Sequence, residues 1–284
     1  MMIKVNNLTF SYPGQHGLLF DGFNLTLQEN RVYGLLGKNG TGKSTLLYLL
    51  SGLLRPKGGT VDVDGFTPHL RKAEMLQELF IVPEEYDLPA VPLSKYVKLT
   101  APFYPRFSHE VLKTCLAEFE MEGNPNLGRL SMGQKKKVYM SLAMAAGTKL
   151  LLMDEPTNGL DIPSKSQFRK VVAQQMGEGR TLIISTHQVH DVETLLDHVL
   201  ILNQRELLLD SSVDDLTSRY SFGIRMPGDM DGVLYAEPSL QGNITMALRK
   251  ADEPESLLNL ELLFNAVTKG RLKCKDLTSD DSRM

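Results

Sequence analysis

Only two cysteines occur in the 284 residues, Cys115 and Cys274, and their separation matches no metal-ligand spacing. Cys115 shares the apolar side of a predicted helix with Leu112, Leu116 and Phe119, which places it in the core. No apolar run approaches the roughly 20 residues needed to span a bilayer. No secretion leader opens the chain, so a cytosolic, reduced location is expected. Charge of one sign is not in excess either. Lys and Arg number 31 against 34 Asp and Glu, for a net −3, which gives no overall attraction to nucleic acid. The one basic run, Lys135-Lys136-Lys137, reads as a solvated helix face. Internal repeats, low-complexity tracts and sustained heptads are missing, which argues against solenoids and long coiled coils. What is left is an ordinary globular composition, 42% hydrophobic and 23% charged, long enough for one large domain and one small one.

The most informative stretch is Gly37-Lys38-Asn39-Gly40-Thr41-Gly42-Lys43-Ser44, which matches G-x-x-x-x-G-K-[ST]. A buried strand, Arg31 to Leu36, enters it, and a helix from Ser44 through Thr45 to Leu50 leaves it, with Gly52 as its stop. Glycines let the backbone curl so that its N–H groups point at phosphates, and the helix N-terminus adds a favourable dipole. In such a loop Lys43 contacts the β- and γ-phosphates of a nucleotide and Ser44 ligates Mg²⁺. Far downstream, the apolar run Lys149 to Met153 ends in Asp154-Glu155. This reads as a buried strand delivering two carboxylates at its C-terminal edge, where α/β sheets bind ligands. Asp154 suits the holding of Mg²⁺ and Glu155 the polarising of an attacking water. Alone, such a strand end would be explained equally well by a surface ion pair.

Further motifs follow in a fixed order. Leu130-Ser131-Met132-Gly133-Gln134 resembles the LSGGQ signature of ATP-binding cassette (ABC) ATPases, with Met132 in place of its first glycine. Pro156 to Asp161 resembles that family's D-loop, Ser185-Thr186-His187 its switch-histidine motif, and Tyr12 the aromatic that stacks on adenine. The resemblance covers roughly residues 2 to 215. It implies that ATP and Mg²⁺ are bound and ATP is hydrolysed. It also implies that His187 senses the γ-phosphate and that Ser131, Gly133 and Gln134 face ATP held by a second cassette, either another copy or a paralogue. Local readings stand beside these. Ser131 caps its helix in any case, Tyr12 can be a plain strand-end aromatic, and Asp161 is a good N-cap for a helix near Pro163.

One position departs from the family. Its glutamine loop follows a strand, and here Leu79 to Pro83 leads to Glu84. A carboxylate still offers oxygen to a hard cation, so Glu84 is assigned to the Mg²⁺ shell. The alternative, Gln77, lies before the strand.

The fold implied by the resemblance is α/β: a P-loop cassette, residues 1–215, with a mostly parallel core sheet and an antiparallel β layer. A helical subdomain occupies about 88–146. Residues 216–284, with short apolar runs at 232–235 and 243–248 and a helical stretch at 256–264, read as a small α/β appendage, its polar end beyond about 272 expected to fray. Ala101 to Phe107, rich in proline and aromatics, resembles a segment of bacterial cassettes that serve drug or peptide exporters. The expected partners are integral membrane permease subunits, with the chain peripheral on the cytoplasmic face and no nucleic acid bound. The rival reading is a soluble ABC ATPase acting on ribosomes or DNA; the single cassette and the lack of a basic linker or coiled coils weigh against it.

Overall fold

A computed structural model describes residues 3–14, 17–177, 179–203, 206–250 and 252–272. The helices and strands are, in chain order, β1 (Ile3–Phe10), β2 (Phe20–Leu27), β3 (Val32–Leu36), α1 (Lys43–Leu50), β4 (Gly58–Val63), α2 (Ala73–Leu76), β5 (Leu79–Val82), α3 (Leu93–Thr100), α4 (His109–Glu118), α5 (Met132–Ala145), β6 (Leu150–Asp154), α6 (Ile162–Gln175), β7 (Thr181–Thr186), β8 (His198–Asn203), β9 (Glu206–Ser212), α7 (Val213–Arg219), β10 (Tyr220–Arg225), β11 (Val233–Ser239), β12 (Gly242–Leu248) and α8 (Leu260–Thr268).

Six strands form the central sheet in the order β5-β6-β7-β3-β8-β9. The first five run parallel and β9 returns antiparallel from β8. The runs at 150–154 and 181–186 carry no alternation because both faces of those strands are buried. β1, β2 and β4 make the antiparallel layer, where alternation returns: Ile3, Val5, Val61 and Val63 point inward while Lys4 and Thr60 stay exposed. Its buried side packs with Leu46, Leu47, Leu49 and Leu50 of α1 against the central sheet. Helices α3 to α5 enclose their own small core of Leu93, Val97, Leu112, Leu127, Val138 and Leu142. Ser108 caps α4, accepting from the Val111 N–H at 3.2 Å. Cys115 of α4 turns instead to the main core, and burial pushes its thiol up to about 11.

The C-terminal residues form a three-stranded sheet, order β10-β12-β11, and α8. Their apolar side chains, including Tyr220, Met246, Leu260 and Leu263, merge with the core beneath the central sheet. Helix α8 begins at Leu260 and not at Ser256, because Asn259 accepts from the Leu262 N–H at 2.9 Å and so caps it there. Leu257, left outside the helix, is 91% exposed. The start of α8 rests on the segment after β7. The Glu193 carboxylate accepts from the Leu260 N–H at 2.6 Å and His190 Nε2 meets Glu261 at 2.6 Å. Cys274 lies outside the described residues.

Candidate functional site

Four neighbouring strands, β5, β6, β7 and β3, deliver the site residues at their C-terminal ends. The loop after β3 is residues 37–42. Its glycines are dictated by space and angle. A Cβ at Gly37 would lie 2.5 Å from the Leu202 carbonyl oxygen. Gly42 holds φ +104°, and a Cβ there would lie 2.9 Å from the Phe20 ring. Thr41 Oγ1 donates to the Lys38 carbonyl at 2.9 Å and ties the loop to itself. Lys43, 5% exposed, curls back to donate to the carbonyls of Gly37 at 2.9 Å and Lys38 at 3.4 Å. Burial holds its ammonium below the usual lysine range, with Glu155 and Asp154 opposing that shift.

A cavity of about 300 Å³ opens over this loop. Asn39, Gly40, Gly42, Lys43, Ser44 and Thr45 form its floor; Tyr12, Leu19, Glu84 and Glu155 form its walls. Tyr12 is fixed by a 3.0 Å hydrogen bond between its hydroxyl and Thr45 Oγ1. Gln77, by contrast, caps the end of α2 and lines a different groove.

Glu155, 4% exposed, is the most constrained residue of the site. Its backbone sits at φ +44°, a left-handed conformation that side-chain-bearing residues avoid unless the surroundings impose it. Its carboxylate accepts from Thr186 Oγ1 at 2.9 Å and from the His187 N–H at 3.1 Å. His187 Nδ1 lies 2.8 Å away and Lys43 Nζ 3.7 Å away. Asp154, 1% exposed, takes the Ser185 hydroxyl on Oδ1, while its Oδ2 is buried with no partner. Burial raises its carboxyl above the usual carboxylate range, opposed chiefly by the hydrogen bond from Ser185. A buried carboxylate oxygen without a donor, beside a serine hydroxyl, is an arrangement that could hold a hard divalent cation.

Ser131, Gly133 and Gln134 are not brought to this cavity. They open α5, where Ser131 Oγ accepts from the Gln134 N–H at 3.3 Å and Gln134 Oε1 from the Ser131 N–H at 3.1 Å. Ser131 and Gln134 are exposed, and Met132 is 63% exposed. Asp161 caps α6, accepting from the Ser164 N–H at 2.9 Å, and the Ser164 hydroxyl, with that N–H second, holds its carboxyl below the usual range.

The basic run is corrected by the structure. Lys136 is 5% exposed, not solvated, and its ammonium donates to the carbonyls of Glu155 at 3.1 Å and Asn158 at 2.7 Å. Lys137 donates to the Phe119 carbonyl at 3.3 Å and to Gln167 Oε1 at 3.1 Å. Ser185, Thr186 and Asn158 also hold the site together, by bonds to Asp154, Glu155 and Glu84. The two hydroxyl residues carried a signal, being polar at the end of an apolar strand directly before His187; Asn158 reaches Glu84 across 74 residues and carried none.

The family model described as ABC transporter matches residues 20–158. The ABC transporter ATP-binding protein NatA of Bacillus subtilis is 30% identical over 199 residues, 68% of this chain and 81% of that protein. The bacitracin transport ATP-binding protein BcrA of Bacillus licheniformis is 30% identical over 229 residues, 77% of this chain and 72% of its own length. Among solved structures, an ATP-binding subunit of an ABC transporter superposes with a TM-score of 0.68 at 24% identity, over 76% of this chain and 92% of that one. On these matches the chain belongs to the ABC transporter ATP-binding proteins and is an ATPase.

Proposed function

We propose that two cassettes, this chain with a second copy or a paralogue, close around two ATP molecules and drive transport through separate membrane subunits. Each ATP lies with its phosphates on residues 37–44 and its adenine against Tyr12. The Gly40, Gly42 and Ser44 N–H groups and the Lys43 ammonium hold the phosphate oxygens. Lys43 gives up its bonds to the Gly37 and Lys38 carbonyls to do so. Mg²⁺ is assigned to Ser44, Asp154 and Glu84; the unpartnered Asp154 Oδ2 fits it. One or two carboxylates with water and phosphate oxygens are a usual Mg²⁺ set, and the ion would neutralise charge on the phosphates. Glu155 takes the proton of the attacking water, and His187, bonded to it, contacts the γ-phosphate.

The observation that carries this reading is the aim of Glu155. Its carboxylate is buried, pinned by Thr186 and His187, and set at the cavity wall beside Lys43. The exposed start of α5 supports the two-cassette arrangement, because a helix N-terminus that meets no phosphate of its own chain is left to present its N–H groups outward. A groove lined by Leu53, Arg71, Leu76, Phe80, Phe103 and Tyr104, between the central sheet and the helical subdomain, supports a membrane partner. Leu53 is 53% and Phe103 69% exposed there. No helix among the described residues is long and apolar enough to cross a membrane. The proposed position is peripheral, on the cytoplasmic face, with that groove as the contact. Outward transport is proposed from the 101–107 stretch, in which Tyr104 packs 5.3 Å from Phe80 and leaves Phe103 free.

The test is co-purification of the tagged chain from gently solubilised native membranes, beside Leu53→Asp/Phe103→Asp. A polytopic membrane protein that comes down with the wild type and not with the double variant supports the reading. Ribosomal or DNA-bound partners, with nothing from the membrane, overturn it.

A further inference from the structure

Lys136 stands outside the nucleotide cavity, yet its ammonium ends on the backbone of the proposed base. The turn after β6 is closed by the Asn158 N–H donating to the Glu155 carbonyl at 3.2 Å. Lys136 Nζ donates to that same carbonyl at 3.1 Å and to the Asn158 carbonyl at 2.7 Å, so it grips both ends of the turn. This is the turn in which Glu155 is held at φ +44°. An ammonium buried against carbonyls alone is unfavourable unless negative charge lies near. Asn158 links it to such a charge, because its side-chain amide donates to Glu84 Oε1 at 3.0 Å. Glu84 is also the strongest of the charges that oppose the lowering of the Lys136 ammonium by burial. One chain of bonds thus runs from α5 through the turn to Glu84, two residues past the end of β5.

We propose that Lys136 is a positioning residue for hydrolysis: it locks the turn that aims Glu155, and Glu84, bridged by Asn158, balances its charge. Glutamate at position 84 then has a reason beyond metal contact. It is the counter-charge of a buried lysine in the signature helix, and the two belong together. The lock also joins α5 with the segment around Glu84, so movement of either one bears on Glu155.

This inference rests on Glu155 acting as the base, and the experiment separates the two. Steady-state Mg-ATPase, fluorescent-nucleotide affinity and melting temperature are measured for Lys136→Met, Lys136→Arg, Glu84→Gln, the Glu84→Gln/Lys136→Met pair and Glu155→Gln. Lys136→Met keeps the bulk and removes both bonds; kcat is expected to fall about 10- to 100-fold, the scale of misplacing a catalytic group by about 1 Å. KM and nucleotide affinity are expected to stay within about threefold, since no ground-state contact is lost. Lys136→Arg, which can still donate to two carbonyls, retains most of the turnover. The double variant loses less than the product of the two single losses, because each single change strands the other's charge. Should Lys136→Met fail to fold, Lys136→Gln, whose amide falls short of both carbonyls, carries the same expectation. Wild-type kcat in the Met or Gln variant overturns the proposal, as does a loss of nucleotide affinity in step with kcat. Single losses that multiply overturn the part played by Glu84. Turnover persisting in Glu155→Gln refutes the base assignment instead, whatever Lys136→Met does.

Discussion

Replacing Glu155 by glutamine probes the site at its most constrained point. The amide preserves the volume and leaves one oxygen to accept from Thr186 Oγ1 or the His187 N–H, now 2.9 and 3.1 Å from the carboxylate. Two things are lost: the basicity that the proposed mechanism uses to take a proton from water, and the negative charge 3.7 Å from Lys43. The first lowers turnover. A positioned general base contributes about 10²–10⁴-fold, which at about 1.36 kcal/mol per decade is roughly 2.7–5.4 kcal/mol of transition-state stabilisation. The second acts on binding with the opposite sign. Both side chains of the pair are 6% exposed, so neutralising Glu155 leaves Lys43 buried without its nearest counter-charge and favours the arrival of phosphate. The expected phenotype is therefore divided: kcat down at least 100-fold on the scale of a lost base, with ATP affinity unchanged or tighter. Mg-ATP should then trap the variant as a two-cassette species. Phosphate-release kinetics, nucleotide titration and native mass measurement read the three quantities. Residual turnover above about a tenth of wild type is too much for a lost general base and would move that role to His187, which Glu155→Gln leaves in place. Weakened ATP binding would refute the charge argument separately.

The nucleotide loop was legible because its residues are contiguous and the strand before and helix after them announce the turn, although the space that demands glycine is set at a distance, by the Leu202 carbonyl at Gly37 and the Phe20 ring at Gly42. The strands that end at the site were legible for a different reason: buried on both faces, β6 and β7 carry unbroken apolar runs that little else explains. The lysine run was misread through treating three consecutive residues as one face. Successive helical positions turn by about 100°, so three of them sweep about 200° and cannot all meet solvent on a helix packed against a core. The buried positions Val138 and Met140 showed which side of α5 was covered. The Glu84–Asn158 bond had no such cue, because it depends on β5 and β6 being neighbours in the sheet. Strand β10, Tyr220–Arg225, was not read at all. Its glycine speaks against a strand, and pairing with β12 from Tyr220↔Leu248 to Arg225↔Asn243 makes it one.

Two further perturbations test the frame and the cation site. Arg180 donates to the carbonyls of Thr148 at 3.1 Å and Gln175 at 3.2 Å and, at longer range, of Met144 and Ala143, gathering the ends of α5 and α6. Arg180→Met should cost about 2–4 kcal/mol for two good charge-assisted bonds less the desolvation regained, a fall of roughly 4–16 °C in Tm at about 2–4 °C per kcal/mol. A drop under about 2 °C, read by calorimetry, would deny the guanidinium that role. Asp154→Asn should separate stability from function. Burial raises the Asp154 carboxyl above its unfolded value. Between the two values the folded chain holds a proton that the unfolded chain has released, so stability falls as pH rises through that window, and the penalty persists at neutral pH. The amide has no charge to lose. The nucleotide-free variant should thus melt higher than wild type at pH 7, with the gap closing as pH falls toward the ordinary carboxylate value of about 3.9. Mg-ATP should reverse the order at neutral pH, since a cation on Oδ2 relieves the penalty in the wild type and finds no carboxylate in the variant. A gap that widens in acid contradicts the sign of the shift. Equal stabilisation of both proteins by Mg-ATP removes Asp154 from the cation site.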